Sequence, residues 1–111
     1  MLESKIYEKV RLKPKYLTAI VAAFKDNFLP TDRLWIFGSR VNLQARGGDI
    51  DLYIETADSD AELVTQRRIK FIAAVWKQIG EQKIDVIIKL TGSKFELPIY
   101  AVAVKEGVQL V

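Results

Sequence analysis

Residues 34–55 read LWIFGSRVNLQARGGDIDLYIE and contain two candidate strands joined by a polar turn. The first candidate, residues 33–37, is a short apolar run that Gly38 stops, which is typical of a buried strand. In the second, which starts at Asp49, apolar and polar residues alternate strictly, as in a strand with one buried face. Residues 39–48 between them are polar and rich in glycine. The stretch therefore predicts a strand, a ligand-accessible turn and a second strand.

Helical and strand patterns continue on both sides of this stretch. Apolar residues recur every three or four positions over residues 13–30 and again over residues 60–79, which predicts two amphipathic helices. A third strand is predicted over residues 83–90, where the alternation returns. Ser93-Lys94-Phe95-Glu96 has the form of a capping box and predicts a final helix through about residue 105. Residues 1–12 predict only an N-terminal arm or a frayed helix.

This order of elements predicts an α/β (α+β) fold with a small mixed β-sheet, formed by a single domain over residues 1–111. The apolar side chains of the two alternating strands need burial, so we expect the helices to cover one face of the sheet. These side chains are Ile50, Leu52, Ile54, Ile84, Val86 and Ile88. Tyr53 and Lys89 are expected on the opposite, open face, and Trp35 and Trp76 in the core.

The composition excludes most of the common catalytic chemistries. The 111 residues include no Cys and no His, which removes disulfides, thiolate nucleophiles, Ser-His-Asp triads and the usual zinc sites. Any chemistry must use carboxylates, hydroxyls, Lys, Arg or a hard cation bound by oxygen. The net charge of +3 is too small to indicate nucleic-acid binding. Since neither a signal peptide nor a membrane-spanning run is apparent, a cytoplasmic location is the default expectation.

Three carboxylates are expected on the open face of the sheet. Asp49 and Asp51 lie two residues apart on one strand, so their side chains emerge on the same face, and Asp85 has the same relation to the other strand. If the two strands are neighbours, the carboxylates converge and repel one another unless cations lie between them. One or two Mg²⁺ ions fit such a donor set and suit in-line phosphoryl transfer. The alternative is the solvated outer face of an ordinary sheet.

A candidate phosphate cradle lies ten residues upstream of these carboxylates. Gly38 and Ser39 end the first strand and offer backbone N–H groups and a hydroxyl to phosphate oxygens. Gly-Ser alone is a weak signal, because Ser is also a common N-cap residue. Its position, one short polar loop away from Asp49 and Asp51, favours the phosphate-binding interpretation.

These motifs carry a resemblance to a known family. Gly-Ser followed by Asp-x-Asp resembles the signature of the DNA polymerase β-like nucleotidyltransferase superfamily, and the Gly-Ser-Arg and Asp-Ile-Asp-Leu runs resemble its minimal nucleotidyltransferases, called MNT. The similarity extends to the leading helix, to residues 83–87 around the third carboxylate and to residues 98–107. Nine residues separate Ser39 from Asp49, where the family usually has ten, and we expect the glycines at 47 and 48 to absorb the difference.

The resemblance implies a role for each candidate residue. It implies that Asp49 and Asp51 bind two metal ions, and that Asp85 completes the metal site and accepts a proton from the attacking hydroxyl, which makes all three catalytic. It further implies that four loop residues bind the nucleotide, namely Gly38, Ser39, Arg40 and Arg46. The two arginines suit bidentate phosphate contacts, although as loop residues they are equally compatible with solvation.

The resemblance also implies a reaction and a partner. MNT proteins transfer AMP from ATP, with Mg²⁺, to a hydroxyl, and their acceptor is a tyrosine of a separate HEPN-domain toxin. We therefore expect a protein adenylyltransferase that acts as the antitoxin of a HEPN/MNT toxin–antitoxin pair, since 111 residues leave little room for an acceptor domain. The alternative is a catalytically weak or inactive MNT-fold binding module that neutralises or scaffolds a partner by association. A homo-oligomer or a hetero-oligomer fits either interpretation.

Overall fold

A computed structural model describes residues 4–111, so residues 1–3 of the predicted arm lie outside the described residues. The elements follow the chain in the order α1 (Ser4–Lys9), α2 (Pro14–Asn27), β1 (Arg33–Phe37), a 3₁₀ turn (Gly38–Val41), β2 (Ile50–Thr56), α3 (Ala61–Ile79), β3 (Ile84–Leu90), α4 (Pro98–Glu106) and β4 (Val108–Gln109). The predicted α/β class with a small mixed sheet is confirmed. Among these residues, no helix combines the length and apolar character needed to cross a bilayer.

The four strands form one sheet in the order β3-β2-β1-β4. β2 pairs in parallel with β3 and antiparallel with β1, and β4 pairs antiparallel with β1. Parallel pairing of β2 and β3 requires a long crossover, which α3 supplies. β4 was not predicted, because two residues are too few to show a periodicity. The strand order brings the two aspartate-bearing strands side by side.

Local sequence signals explain where the main helices begin and end. α2 begins at Pro14, whose fixed backbone angle suits the first helical position. Asp60 caps α3, because its carboxylate accepts hydrogen bonds from the backbone N–H groups of Glu62 and Leu63 at 3.0 and 3.2 Å. Gly80 ends α3 with a φ of 86°. α3 matches its predicted limits within one residue, whereas α2 ends at Asn27, three residues before the predicted limit at residue 30.

The main core lies between the sheet and the pair α2 and α3. The strand side chains predicted to be buried lie here, and of these only Ile88 is partly buried. On the helix side, Phe71 packs edge-on against Phe24 and Phe28, at centroid distances of 6.4 and 5.9 Å. This layer fixes the sheet against the helices and so orients the opposite face.

The opposite face of the sheet is only partly open, which corrects the expectation that the helices cover one face. α4 packs on this second face, over a smaller core of Trp35, Phe37, Tyr53, Tyr100 and Ala103. Tyr53 is therefore fully buried, with 0% of its surface exposed, and not on an open surface as predicted. Trp35 is in a core as expected, whereas Trp76 is 37% exposed and donates its indole N–H to the Gln82 carbonyl.

The segment before α2 is not a free arm over its described residues. Residues 4–9 form α1, and Val10 is buried, with 3% of its surface exposed. Ile6, Tyr7 and Leu12 pack against the main core beside it. Burial of these apolar side chains attaches the segment to the domain, which the mixed, charged sequence did not indicate.

The predicted capping box at residues 93–96 does not start a helix. α4 begins at Pro98, and the Ser93 hydroxyl instead accepts a hydrogen bond from the Phe95 N–H within a local turn. Glu96 pairs with Lys89 on β3 and does not return to a cap. The tertiary ion pair and the proline thus override the local pattern.

Phe71→Ala is expected to lower the free energy of unfolding by about 3–5 kcal/mol, because it leaves a cavity beside the stacked rings of Phe24 and Phe28. The matched control on the same helix is Ile69→Ala, since Ile69 is 63% exposed and its loss is expected to cost less than about 1 kcal/mol. Urea unfolding measures both values. Equal losses would contradict the placement of the core.

Candidate active site

The turn after β1 lies directly against Asp51, one of the three predicted metal-binding carboxylates. Asp51 is the strand partner of Phe37, so Gly38, the next residue, lies over the Asp51 side chain. Gly38 has a φ of 74°, and a Cβ placed on it would overlap the Asp51 carboxylate. Glycine is required here both by the backbone angle and by the close approach. The predicted phosphate turn and the predicted metal-binding strand therefore meet.

Asp51 and Asp85 are brought together by the parallel register of β2 and β3, in which the two residues are direct partners. Burial raises the pKa of Asp51 above its ordinary value, and the negative charges of Asp85 and Asp49 raise it further. Asp51 is half-buried and Asp85 exposed, so a ligand can approach the pair from solvent. The two carboxylates repel each other, and a bound cation would relieve that repulsion.

Asp49 is directed to a different partner. Its carboxylate forms an ion pair with the Lys83 ammonium at 3.3 Å. The hydrogen bond and the charge of Asp49 raise the pKa of Lys83, and the charge of Asp85 contributes as well. The pair is exposed to solvent, where an ion pair contributes little to stability and exchanges readily. Asp49 lies just before β2 and is therefore close to, but not joined with, the other two carboxylates.

The predicted three-carboxylate cluster is only partly assembled. Within residues 4–111, no group of three or more acidic, His or Cys side chains is close enough to hold a metal ion. Asp51 and Asp85 nevertheless fit Mg²⁺ chemically, because they supply adjacent hard oxygen donors and leave positions for water and phosphate. One oxygen of Asp49 is paired with Lys83 instead. The metal-binding role of all three residues stays a prediction.

The far end of the loop returns to Ser39. Gly47 and Gly48 have φ values of 58° and 94°, which glycine adopts without steric cost. A Cβ placed on Gly48 would overlap the Ser39 hydroxyl, so this hydroxyl lies against the Gly48 backbone. The two glycines thus take backbone angles unfavourable to other residues, and their compensation for the shorter loop stays a prediction.

The two predicted arginines differ in their surroundings. Arg40 donates from Nη1 to the Arg11 carbonyl at 3.1 Å and from Nη2 to the Gly48 carbonyl at 3.0 Å. Its Nε is the one buried side-chain nitrogen or oxygen without a hydrogen-bond partner in the described part of the chain. These contacts hold the loop backbone and do not by themselves indicate phosphate binding. Arg46 is exposed on the loop, and its phosphate-binding role stays a prediction.

Sequence reasoning missed Arg11. Its guanidinium donates to the carbonyls of Ser39, Asn42 and Gly47, at 3.0, 3.2 and 2.7 Å. These three acceptors span the whole loop. No sequence signal marks Arg11, because a single arginine in a charged segment has no periodicity and its partners lie about 30 residues away in the chain.

On the sheet face that carries Asp51 and Asp85, the end away from the Gly38 turn is closed by side chains that contact each other. Lys89 pairs with Glu96, and its ammonium lies 5.8 Å from the centre of the Tyr100 ring. The Tyr53 hydroxyl donates to Glu55 at 2.9 Å, and burial followed by this hydrogen bond raises the Tyr53 pKa. Tyr53 and Lys89 were open-face candidates for nucleotide or acceptor contact, but both side chains are engaged within the protein.

A groove of about 440 Å³ lies elsewhere, on the helical layer between α2 and α3. Its lining includes Lys15, Ala22, Ala74 and Gln78, and none of the candidate site residues. The candidate site lies instead at the end of the sheet, where the Gly38 turn, Asp51 and Asp85 adjoin.

Comparison with known proteins identified a family. Residues 17–110 match the sequence model of a family described as a nucleotidyltransferase domain. The match includes β1, the glycine-rich loop and both aspartate-bearing strands. A search of curated proteins found no significant match.

Gly38→Ala is expected to destabilise the protein more than Gly80→Ala. Both glycines have positive φ values, 74° and 86°, so both changes carry a backbone cost of about 1 kcal/mol. Only at Gly38 would the new methyl also meet the Asp51 carboxylate, whereas nothing lies within 4 Å at Gly80. Urea unfolding of the two variants measures the difference. Equal losses would show that Gly38 does not lie against Asp51.

Asp51→Asn is expected to stabilise the folded protein at neutral pH, by a few tenths of a kcal/mol up to about 1 kcal/mol, because it removes a cross-strand repulsion. A raised folded-state pKa means that the parent loses stability as the pH rises from 3.8, the ordinary value, through the folded value. The gain should therefore shrink at acidic pH. Thermal unfolding at several pH values tests this, and a variant less stable than the parent at pH 7 would refute it.

Proposed function

This chain belongs to the nucleotidyltransferase domain family, and from that premise we propose that it transfers a nucleoside monophosphate from a nucleoside triphosphate to a hydroxyl group. One observation carries the proposal: the Gly38 turn lies directly against Asp51, which is the strand partner of Asp85. A backbone turn suited to phosphate therefore adjoins two carboxylates suited to a hard cation.

Each side chain has a defined task in the proposed reaction. The Gly38–Ser39 turn binds the triphosphate through backbone N–H groups and the Ser39 hydroxyl. The acceptor oxygen attacks the α-phosphorus, the bond between this phosphorus and the bridging oxygen breaks, and pyrophosphate leaves. Asp85, which is exposed beside Asp51, accepts the proton of the attacking hydroxyl.

Mg²⁺ is the proposed cofactor. Asp51 and Asp85 would hold it, together with Asp49 once this carboxylate is released from Lys83. When bound, the ion neutralises charge on the phosphates and aligns the triphosphate. Burial is the first cause of the raised pKa of Asp51, and the charges of Asp85 and Asp49 raise it further; this second contribution supports the assignment, because a cation would remove the repulsion.

We propose AMP, ATP and a HEPN-like toxin as the transferred group, the donor and the acceptor partner. The support is the resemblance of the Gly-Ser-Arg and Asp-Ile-Asp-Leu runs, at residues 38–40 and 49–52, to the minimal nucleotidyltransferases of toxin–antitoxin pairs. The exposed position of Asp85 is consistent with a large acceptor such as a protein side chain. In this assignment the protein is an antitoxin that adenylylates its partner.

A second candidate function is neutralisation of the partner by binding alone. It is favoured by the Asp49–Lys83 ion pair and by the incomplete gathering of carboxylates among residues 4–111. In that case the domain keeps the fold and the partner surface without catalysing transfer.

The test combines each of the four labelled nucleoside triphosphates with Mg²⁺, the protein and a HEPN-like partner. Asp49→Asn with Asp51→Asn is expected to reduce transfer at least about a hundredfold, because both changes remove charge from the site. The control is Asp26→Asn with Glu81→Gln, which makes the same change in net charge at two exposed positions. Transfer is expected to be unchanged in this control.

Two results would change the assignment. Full transfer by the Asp49→Asn, Asp51→Asn double variant would contradict the proposed site. If the parent transfers nothing, and both it and the double variant neutralise the partner equally well, the protein acts by binding alone.

A further inference from the structure

We propose that Arg11 is a positioning residue for the candidate phosphate loop, defined here as residues 38–48. Arg11 does not touch the nucleotide in this proposal. Arg11 sets the shape of the loop that contacts the nucleotide. Its side chain extends to that loop from the N-terminal segment. The inference deepens the proposed function and rests on it, since it assigns the loop to the triphosphate.

The contacts of Arg11 join the two ends of the loop. Its Nη2 donates both to the Ser39 carbonyl at 3.0 Å and to the Gly47 carbonyl at 2.7 Å. Its Nε donates to the Asn42 carbonyl at 3.2 Å, and its backbone N–H donates to the Arg40 carbonyl at 2.7 Å. One residue thus makes four hydrogen bonds to loop carbonyls, and it brings Ser39 and Gly47 to the same nitrogen.

These bonds also determine which way the loop amides point. In a trans peptide the C=O and the N–H of one unit point in opposite directions. Because the Gly47 carbonyl points to Arg11, the N–H of Gly48 points away from it. Gly48 lies against the Ser39 hydroxyl, where a Cβ would overlap. By the same reasoning, the bonds to the carbonyls of Ser39, Arg40 and Asn42 turn the N–H groups of residues 40, 41 and 43 away from Arg11. Arg11 thus leaves N–H donors beyond the Gly38–Ser39 turn free for an anion.

Arg11 is itself held in place from both sides. Val10 before it is buried, and Leu12 after it packs against the main core. Arg40 returns a bond to the Arg11 carbonyl at 3.1 Å and reaches the Gly48 carbonyl with its other terminal nitrogen. The two arginines therefore bind each other's backbone as well as the loop. The burial of Val10 in the core thus fixes the position of Arg11, and Arg11 in turn fixes the position of the Ser39 carbonyl.

The role requires the guanidinium group and not only a positive charge. A guanidinium is planar and offers five N–H donors in a fixed fork, so it can bond three carbonyls that lie in different directions. A lysine has one ammonium nitrogen, which cannot make both the contact that Arg11 makes through Nε and the contacts that it makes through Nη2. Arg11→Lys should therefore fail to replace Arg11 fully.

The experiment measures binding of each Mg²⁺–nucleoside triphosphate by calorimetry to the parent, Arg11→Ala, Arg11→Lys and the control Arg68→Ala. Arg68 is exposed on α3, and its loss makes the same change in net charge. We expect affinity to fall about tenfold or more in Arg11→Ala and at least about threefold in Arg11→Lys, with Arg68→Ala within twofold of the parent. If Arg11→Ala does not fold, Arg11→Lys carries the test.

Amide hydrogen exchange without nucleotide gives the second measurement. Exchange should accelerate in residues 39–48 of the Arg11 variants, while the amides of β1 and β2 stay protected. Nucleotide affinity equal to that of Arg68→Ala would overturn the proposal. A parent that binds no triphosphate would refute the proposed function instead, and exchange then decides the Arg11 proposal: unchanged protection of the loop overturns it, and selective loss supports it.

Discussion

The register of β2 with its two neighbours is the constraint on which the candidate site depends. Antiparallel pairing with β1 sets Asp51 opposite Phe37, so the turn at Gly38 falls on the Asp51 carboxylate. Parallel pairing with β3 sets Asp51 beside Asp85. A shift of one residue in either ladder would turn Asp51 to the buried face and remove one of these contacts. The main core prevents such a shift, because the alternate side chains of β2 are the fully buried Leu52 and Ile54.

Much of the fold followed from sequence because its signals are local and repeat along the chain. Alternation predicted β2 and β3, and the 3.6-residue period predicted α3, each within one residue of its observed limits. The same period predicted α2, which ends three residues before the predicted limit at residue 30. The proximity of Asp51 and Asp85 followed from the same alternation once the strands were taken as neighbours. The glycine pair at 47 and 48 was expected to adopt unusual backbone angles, and its φ values are positive.

The rest depended on contacts between residues distant in the chain, which no local pattern records. Tyr53 alternates with buried residues and looked solvent-facing, but α4 returns across that face and stacks Tyr100 on it at 5.6 Å. Asp49 was grouped with the other carboxylates, whereas Lys83, the residue before β3, attracts it. Arg11 donates hydrogen bonds to backbone carbonyl oxygens, which every residue carries. The residue types of its partners therefore gave no indication in the sequence that these bonds form. In each case a tertiary contact decided the outcome.

The central claim is that Gly38, Asp51 and Asp85 form a nucleotide site, and amide chemical-shift mapping tests it most directly. Each of the four nucleoside triphosphates would be titrated with Mg²⁺ into isotope-labelled protein. The account predicts saturable shifts centred on Gly38, Ser39, Gly48, Asp51 and Asp85, weakened when Mg²⁺ is withheld. Shifts confined to the groove between α2 and α3, or no saturable shift with any nucleotide, would contradict it.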